Sequence, residues 1–183
     1  MCRSSLSLVF LFLGLTAFPQ PGSAQKTPSP PPPVGSGESV IPACSADEHR
    51  QFDFWLGYWE VTDTTGQVVG TNAITRVASG CGLLEYWRSA SGRTGTSLNW
   101  YEPGTGKWHQ LWVGLGIYLR LSGGLEDGRM VLSGKRDSGG GAVIDRITWT
   151  PLEGGRVRQV WESSLDGGAT WKLQFDGMYA RKR

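Results

Sequence analysis

From Tyr58 onward, apolar and polar side chains alternate in short runs rich in β-branched and aromatic residues, and turn formers close each run. The closing clusters read "TTGQ", "SGCG", "SGRTG", "EPGTGK", "VGLG", "EDG", "SGGG", "PLEGG" and "DGG". A period of two sends successive side chains to opposite faces, the mark of a strand with one face buried. Nine clusters divide the region into ten strands of roughly 7 to 10 residues, and joins this tight demand antiparallel neighbours. A meander of that length has two edges to hide, and closing on itself removes both. The predicted fold is all-β, an antiparallel up-and-down β-barrel of about ten strands, with a two-sheet sandwich as the alternative. Ahead of it, "SADEHRQFDFWLG" holds Ser45 and, three residues on, Glu48. This capping box predicts a short N-terminal helix from about Ala46 to Phe54, stopped by Gly57.

The same alternation assigns faces. In "KWHQLWV", Trp108, Gln110 and Trp112 share one face, and Lys107, His109, Leu111 and Val113 the other. In "RVRQVWE", Val157, Gln159 and Trp161 oppose Arg156, Arg158, Val160 and Glu162. The last strand sets Trp171, Leu173, Phe175 and Tyr179 against Lys172, Gln174 and Asp176. Glu85 falls with Trp87, and Leu98 with Trp100. The expected interior is aromatic, with a few amides and the carboxyls of Glu85 and Asp145. The nine tryptophans either fill such a barrel or line a pocket in it, and aromatic walls with a few convergent polar groups describe small-molecule sites in general. The candidate ligand-binding set is Trp87, Trp100, Trp112 and Trp161, with Gln110, Gln159 and Glu85 to orient a polar group.

The ends of the chain change the picture of where it works. Arg3, the apolar run Leu8 to Phe18, and small residues at Gly22-Ser23-Ala24 have the layout of a secretory signal cleaved after Ala24. That run is shorter than the about 20 residues a membrane-spanning helix needs. Residues 25–43 are proline-, serine- and glycine-rich and form a tether, leaving 44–183 as the folded domain. The expected location is secreted or periplasmic. Cys2 leaves with the signal, so Cys44 and Cys81 remain, and an oxidising compartment predicts a disulfide between them. With 18 Lys and Arg against 16 Asp and Glu, and no block of either sign, nucleic acid and anionic membrane are not expected partners.

Two resemblances bear on function. "SLDGGATW", Ser164 to Trp171, is similar to the Asp-box of sialidases and related propellers. A propeller would need the box several times, whereas here it is single, so Ser164, Asp166, Gly168, Thr170 and Trp171 are read as a hairpin device and the glycosidase reading is set aside. "FDFWLGYWEV" is different: a short helix and then Gly57-Tyr58-Trp59 resembles the entrance motif of lipocalins. Together with "TGTSLNWYEPGTGKWHQLWV", "RITWTPLEGGRVRQVWESSLDGGATW" and "FDGMYARKR", it looks like the lipocalin-like, calycin-type barrels of secreted bacterial proteins related to the DUF1579 group. The resemblance covers nearly all of Phe52 to Arg183. It implies that Trp59 closes the barrel floor and stacks with an arginine of the last strand, Arg181 or Arg183. It implies no reaction, since a fold does not settle a function.

Catalytic groups are sparse. No G-x-S-x-G occurs, His49 and His109 fall on polar faces, and a haem on His109 would require that side chain to point inward. Nucleotide and phosphate motifs are missing from the sequence, and no cysteine–histidine spacing suits a metal, so no cofactor and no metal are expected. Glu85 and Asp145 would form an acid pair if their strands converge. The expected function is an exported, non-catalytic barrel binding a small apolar or amphipathic molecule. Its rivals are an enzyme using an inward carboxylate, and a filled barrel acting as an interaction module.

Overall fold

The computed structural model describes residues 44–114 and 116–182. The expected secretory leader and tether, with Leu115 and Arg183, lie outside the described residues. Ten strands follow one another: β1 (Gly57–Thr62), β2 (Val68–Val77), β3 (Gly82–Ser89), β4 (Thr94–Glu102), β5 (Lys107–Gly114), β6 (Ile117–Glu126), β7 (Arg129–Asp137), β8 (Ala142–Leu152), β9 (Arg156–Ser164) and β10 (Lys172–Arg181). Each pairs antiparallel with the next, and β10 returns to β1, so the sheet is a closed barrel. The sandwich alternative is thereby excluded. The closing seam aligns Trp59 with Arg181, Glu60 with Ala180, Val61 with Tyr179 and Thr62 with Met178. Between β6 and β7, Asp127 (φ 48°) and Gly128 (φ 78°) make a two-residue turn. Left-handed angles at both positions match the twist of the flanking strands, which explains the "EDG" sequence there.

The segment before β1 differs from the expected helix. It forms two separate 3-10 turns, Asp47–Arg50 and Asp53–Trp55, and Ala46 rather than Ser45 precedes the first, with no side-chain cap. The reason lies in "FDFW". Phe52 and Trp55 are both fully buried, and a 3-10 turn eclipses residues three apart, so the tighter winding sends both rings into the barrel end. The Cys44–Cys81 disulfide forms and fastens the start of this segment to the β2–β3 connection. Arg50 donates to the Cys44 carbonyl and, at 3.1 Å, to that of Gly80, while Arg76 pairs with Asp53 at 2.5 Å.

These turns plug one end of the barrel. Phe52 stacks on Trp55 at 4.9 Å and meets Trp149 and Trp108 edge-on at 5.1 and 5.6 Å. Trp59 is fully buried and donates its indole N–H to the Trp55 carbonyl at 2.9 Å, while Arg181 lies over its ring at 4.6 Å. Tyr58, one residue earlier, is 65% exposed, as strand alternation requires. Gly57 has φ +135°, and a β-carbon there would collide with the Arg181 guanidinium. Glycine at 57, tryptophan at 59 and arginine at 181 are therefore one arrangement.

Trp59→Ala removes a buried indole from the joint between the plug and the seam, and should cost about 3–5 kcal/mol in urea denaturation. Cys81→Ser opens a loop of 37 residues, with an expected loss of about 2–4 kcal/mol. Thiol titration of the unfolded, unreduced protein should find neither Cys44 nor Cys81 reactive.

Candidate functional site

The barrel is filled at one end and hollow at the other. Trp55, Trp59, Trp108 and Trp149 occupy the plugged end, all buried. Beyond them, toward the β1–β2, β3–β4 and β9–β10 turns, lies a cavity of about 440 Å³. Four rings wall it: Trp87, Trp112, Trp161 and Phe175. Trp87 meets Phe175 at 5.9 Å, and Trp112 meets Trp161 at 6.5 Å. Neither pair sits on neighbouring strands, so both contacts reach across the lumen. Asp63, Arg93 and Asp176 stand at the mouth.

Glycines decide how these rings lie. A β-carbon on Gly95 would come within 2.7 Å of the Trp112 ring, and one on Gly114 within 2.9 Å. A β-carbon on Gly70 would come equally close to Trp87, and one on Gly177 to Phe175. All four glycines face the lumen, and their missing side chains let the rings lie flat on the wall. The cavity is the volume so released.

The floor is polar. Glu85 is buried and accepts from Asn72 Nδ2 at 2.7 Å and from Ser97 Oγ at 2.6 Å, one donor on each carboxyl oxygen. Asn99 donates to Ser97 Oγ at 2.9 Å, and Gln110 Nε2 donates to Asn99 Oδ1 at 2.8 Å. Tyr179 donates to Gln159 Oε1 at 2.5 Å. Loss of water pushes the Glu85 carboxyl above its usual range, against the opposing pull of its bonds from Ser97 and Asn72. Tyr179 is pushed well up by its own burial and by the Glu85 charge. Two acceptors of this layer, Gln110 Oε1 and Asn72 Oδ1, are buried without a partner.

Glu85, Trp87, Gln110, Trp112, Gln159 and Trp161 all line the cavity. Trp100 does not. On β4 the inward set is Gly95, Ser97, Asn99 and Tyr101, so Trp100 lies on the outer wall, stacked on His109 at 5.3 Å. Hydrophobicity misleads on this strand because the floor requires polar side chains: Ser97 stands directly opposite Glu85. Trp171 and Leu173 also depart from the assigned face. The register of β10 shifts between Leu173 and Phe175, which leaves Leu173 outside and turns Phe175 inward. Trp171 lies under the Arg146 guanidinium at 3.9 Å, on the outer wall.

Asp145 is buried as expected, but it does not join Glu85. It accepts from Arg136 Nε at 2.6 Å, Ser163 Oγ at 2.6 Å and the Trp161 indole at 2.8 Å. Its role is to hold Trp161 in the cavity wall. Asn72, Ser97, Asn99 and the four lumen glycines are the site residues that sequence reasoning missed. The Asp-box closes on itself: Asp166 accepts from Ser164 Oγ at 2.8 Å and from the Thr170 backbone at 2.9 Å, and Gly168 donates to Ser164 Oγ at 2.8 Å. A bond from the Thr170 hydroxyl at 2.5 Å, together with those from the Thr170 backbone and Ser164, holds the Asp166 carboxyl well below its usual range, and the β9–β10 hairpin is what these bonds build.

No family model matches the chain, and no curated protein is significantly similar to it in sequence.

Glu85 gives a signed pH effect. Its folded pKa lies above the ordinary 4.5, so the native protein keeps this proton after the unfolded chain has lost it. The stability tied to the neutral carboxyl is complete below about pH 4.5 and is lost as pH rises through the raised value. Glu85→Gln cannot ionise. Its stability relative to the parent should climb across that window and then level, by about 1.4 kcal/mol for each unit of elevation. Urea denaturation of both proteins in steps from pH 4.5 to 8 measures this, and the other carboxyls cancel in the difference.

Proposed function

We propose that this protein is an exported, non-catalytic carrier whose barrel takes up a small, largely apolar molecule and orients it by a polar group. The cavity is the observation that carries the reading. Its volume of about 440 Å³ falls within the roughly 300–1,000 Å³ of small-molecule sites, and apolar walls over a few converging polar groups match their usual make-up. A barrel serving only as an interaction module has no use for this arrangement, in which Gly70, Gly95, Gly114 and Gly177 let the rings lie against the wall and keep them out of the lumen. Export is supported by the leader-like sequence of residues 1–24 and by the Cys44–Cys81 bond, which suits an oxidising compartment. The stacking of Arg181 on Trp59 beside the plug supports the finer, lipocalin-like reading of the barrel.

A second reading draws on Glu85. A carboxyl raised by burial and facing a cavity is the state a general acid needs, and an enzyme acting on a small substrate would use it so. The two readings part on what leaves the protein. After incubation with a mixed small-molecule extract, a carrier yields a bound compound of unchanged mass in native mass spectrometry. An enzyme instead depletes a compound, and Glu85→Gln abolishes the depletion.

The carrier reading has a direct test in the neutral fluorescent probe N-phenyl-naphthylamine. It should bind saturably, one per chain, with the emission gain of an apolar site. Gly95→Val should weaken binding at least several-fold by driving the Trp112 ring into the lumen, while far-ultraviolet circular dichroism stays that of the parent. Unchanged affinity in this variant would place the probe on the outer wall, where Leu84, Leu98 and Leu111 are exposed in one row, and would end the lumen reading.

A further inference from the structure

Within the carrier reading, on which this step rests, the floor of the cavity specifies the kind of polar group. We infer that the lumen takes an apolar molecule bearing a protonated amine, with the ammonium beside Glu85 and Gln110 and the apolar body between the indole walls. Three observations converge on it. The first is charge. None of the ion pairs among the described residues involves Glu85. A buried carboxyl without a cation lacks the partner that would compensate its desolvation. Asn72 and Ser97 each place a donor on it, an arrangement that fits a carboxylate accepting on both oxygens. The guanidinium that does line the cavity, that of Arg93, belongs to the β3–β4 connection at the mouth.

The second observation is the pattern of donors and acceptors. Gln110 is 2% exposed, lines the cavity, and leaves Oε1 without a hydrogen bond, while its amide nitrogen is committed to Asn99. Tyr179 has spent its proton on Gln159. Around Glu85 and Gln110 the floor therefore offers a ligand acceptors, and the Gln159 amide nitrogen beside Tyr179 adds a neutral donor. An ammonium brings three donors and no acceptor, whereas a carboxylate would bring acceptors alone. The third is the wall. The faces of Trp87, Trp112 and Trp161 carry the negative side of the aromatic quadrupole, which attracts an organic cation as it passes or lodges. Fatty acids, which need a cationic floor, suit this lumen poorly.

The test compares octylamine, octanol and octanoate at neutral pH, three probes of one chain length that differ in charge. Isothermal titration against the full-length protein reads their affinities. Octylamine should bind tighter than octanoate by roughly tenfold or more, the low end of what a close pair of opposite charges contributes. Octanol should fall between them. Glu85→Gln should bring octylamine down to the level of octanol, while saturable binding of the uncharged N-phenyl-naphthylamine reports that the lumen is intact. If octanoate matches or exceeds octylamine in the parent, the amine assignment is overturned and the carrier reading stands. Persistence of the amine preference in Glu85→Gln overturns it too. If none of the three binds, the carrier reading falls with it.

Discussion

The contact on which the rest of the structure depends is that of Trp59 with the two ends of the chain it joins. Its indole N–H is fixed to the carbonyl of Trp55 in the plug, and Arg181, its partner across the seam, lies over its ring. A ten-stranded meander has no intrinsic reason to close, since the free edges of β1 and β10 could as well pair with another chain. Here the seam is short, because β1 has six residues, and its ladder alone is a modest tie. Burying one large ring against plug and last strand together makes closure and plugging a single event. The disulfide and the Arg50 and Arg76 contacts hold the plug on its other side.

Once closed, the barrel has more interior than its side chains can fill, and the two ends meet this differently. At the plugged end Phe52, Trp55, Trp108 and Trp149 pack ring against ring, and Trp59 meets Tyr179 edge-on. At the other, three tryptophans and Phe175 lie against the wall where glycines make room. The same residue type therefore has opposite consequences, and the difference resides in the neighbours. Between the ends sits a polar layer drawn from β2, β3, β4, β5, β9 and β10, held by bonds such as Asn72 to Glu85 and Tyr179 to Gln159. Burying a carboxyl and several amides under aromatic walls costs free energy that an apolar layer would not. The packing of the fold alone gives no reason for the layer, and the proposed carrier role would supply one.

The number of strands, their antiparallel order and the Cys44–Cys81 pairing were legible in the sequence because each rests on local chemistry: turn residues at short spacing, alternation of two, and two cysteines left to each other. The same alternation placed Trp87, Trp112 and Trp161 together, with Gln110 and Gln159, since every step of two along an unbroken strand keeps its face. Where the ladder is interrupted, the inference failed. Leu173 and Phe175 are two apart yet face opposite ways because the β10 register shifts between them. Trp100 failed for another reason: apolar side chains were assumed to mark the inside, and on β4 the inside is Ser97 and Asn99.

What the sequence determined by itself was periodic or local, down to the turn that the Asp-box makes. What only the tertiary structure decided was which interior positions are filled and which are empty. That depends on rings and glycines on different strands, such as Trp87 beside Gly70 or Trp112 beside Gly95, and on a carboxyl whose donors come from the strands on either side of it. Asn72 and Tyr179 are 107 residues apart in the chain and 3.4 Å apart in the floor. No pattern along the chain encodes that proximity, because closure of the barrel is what brings β10 round to β1 and β2.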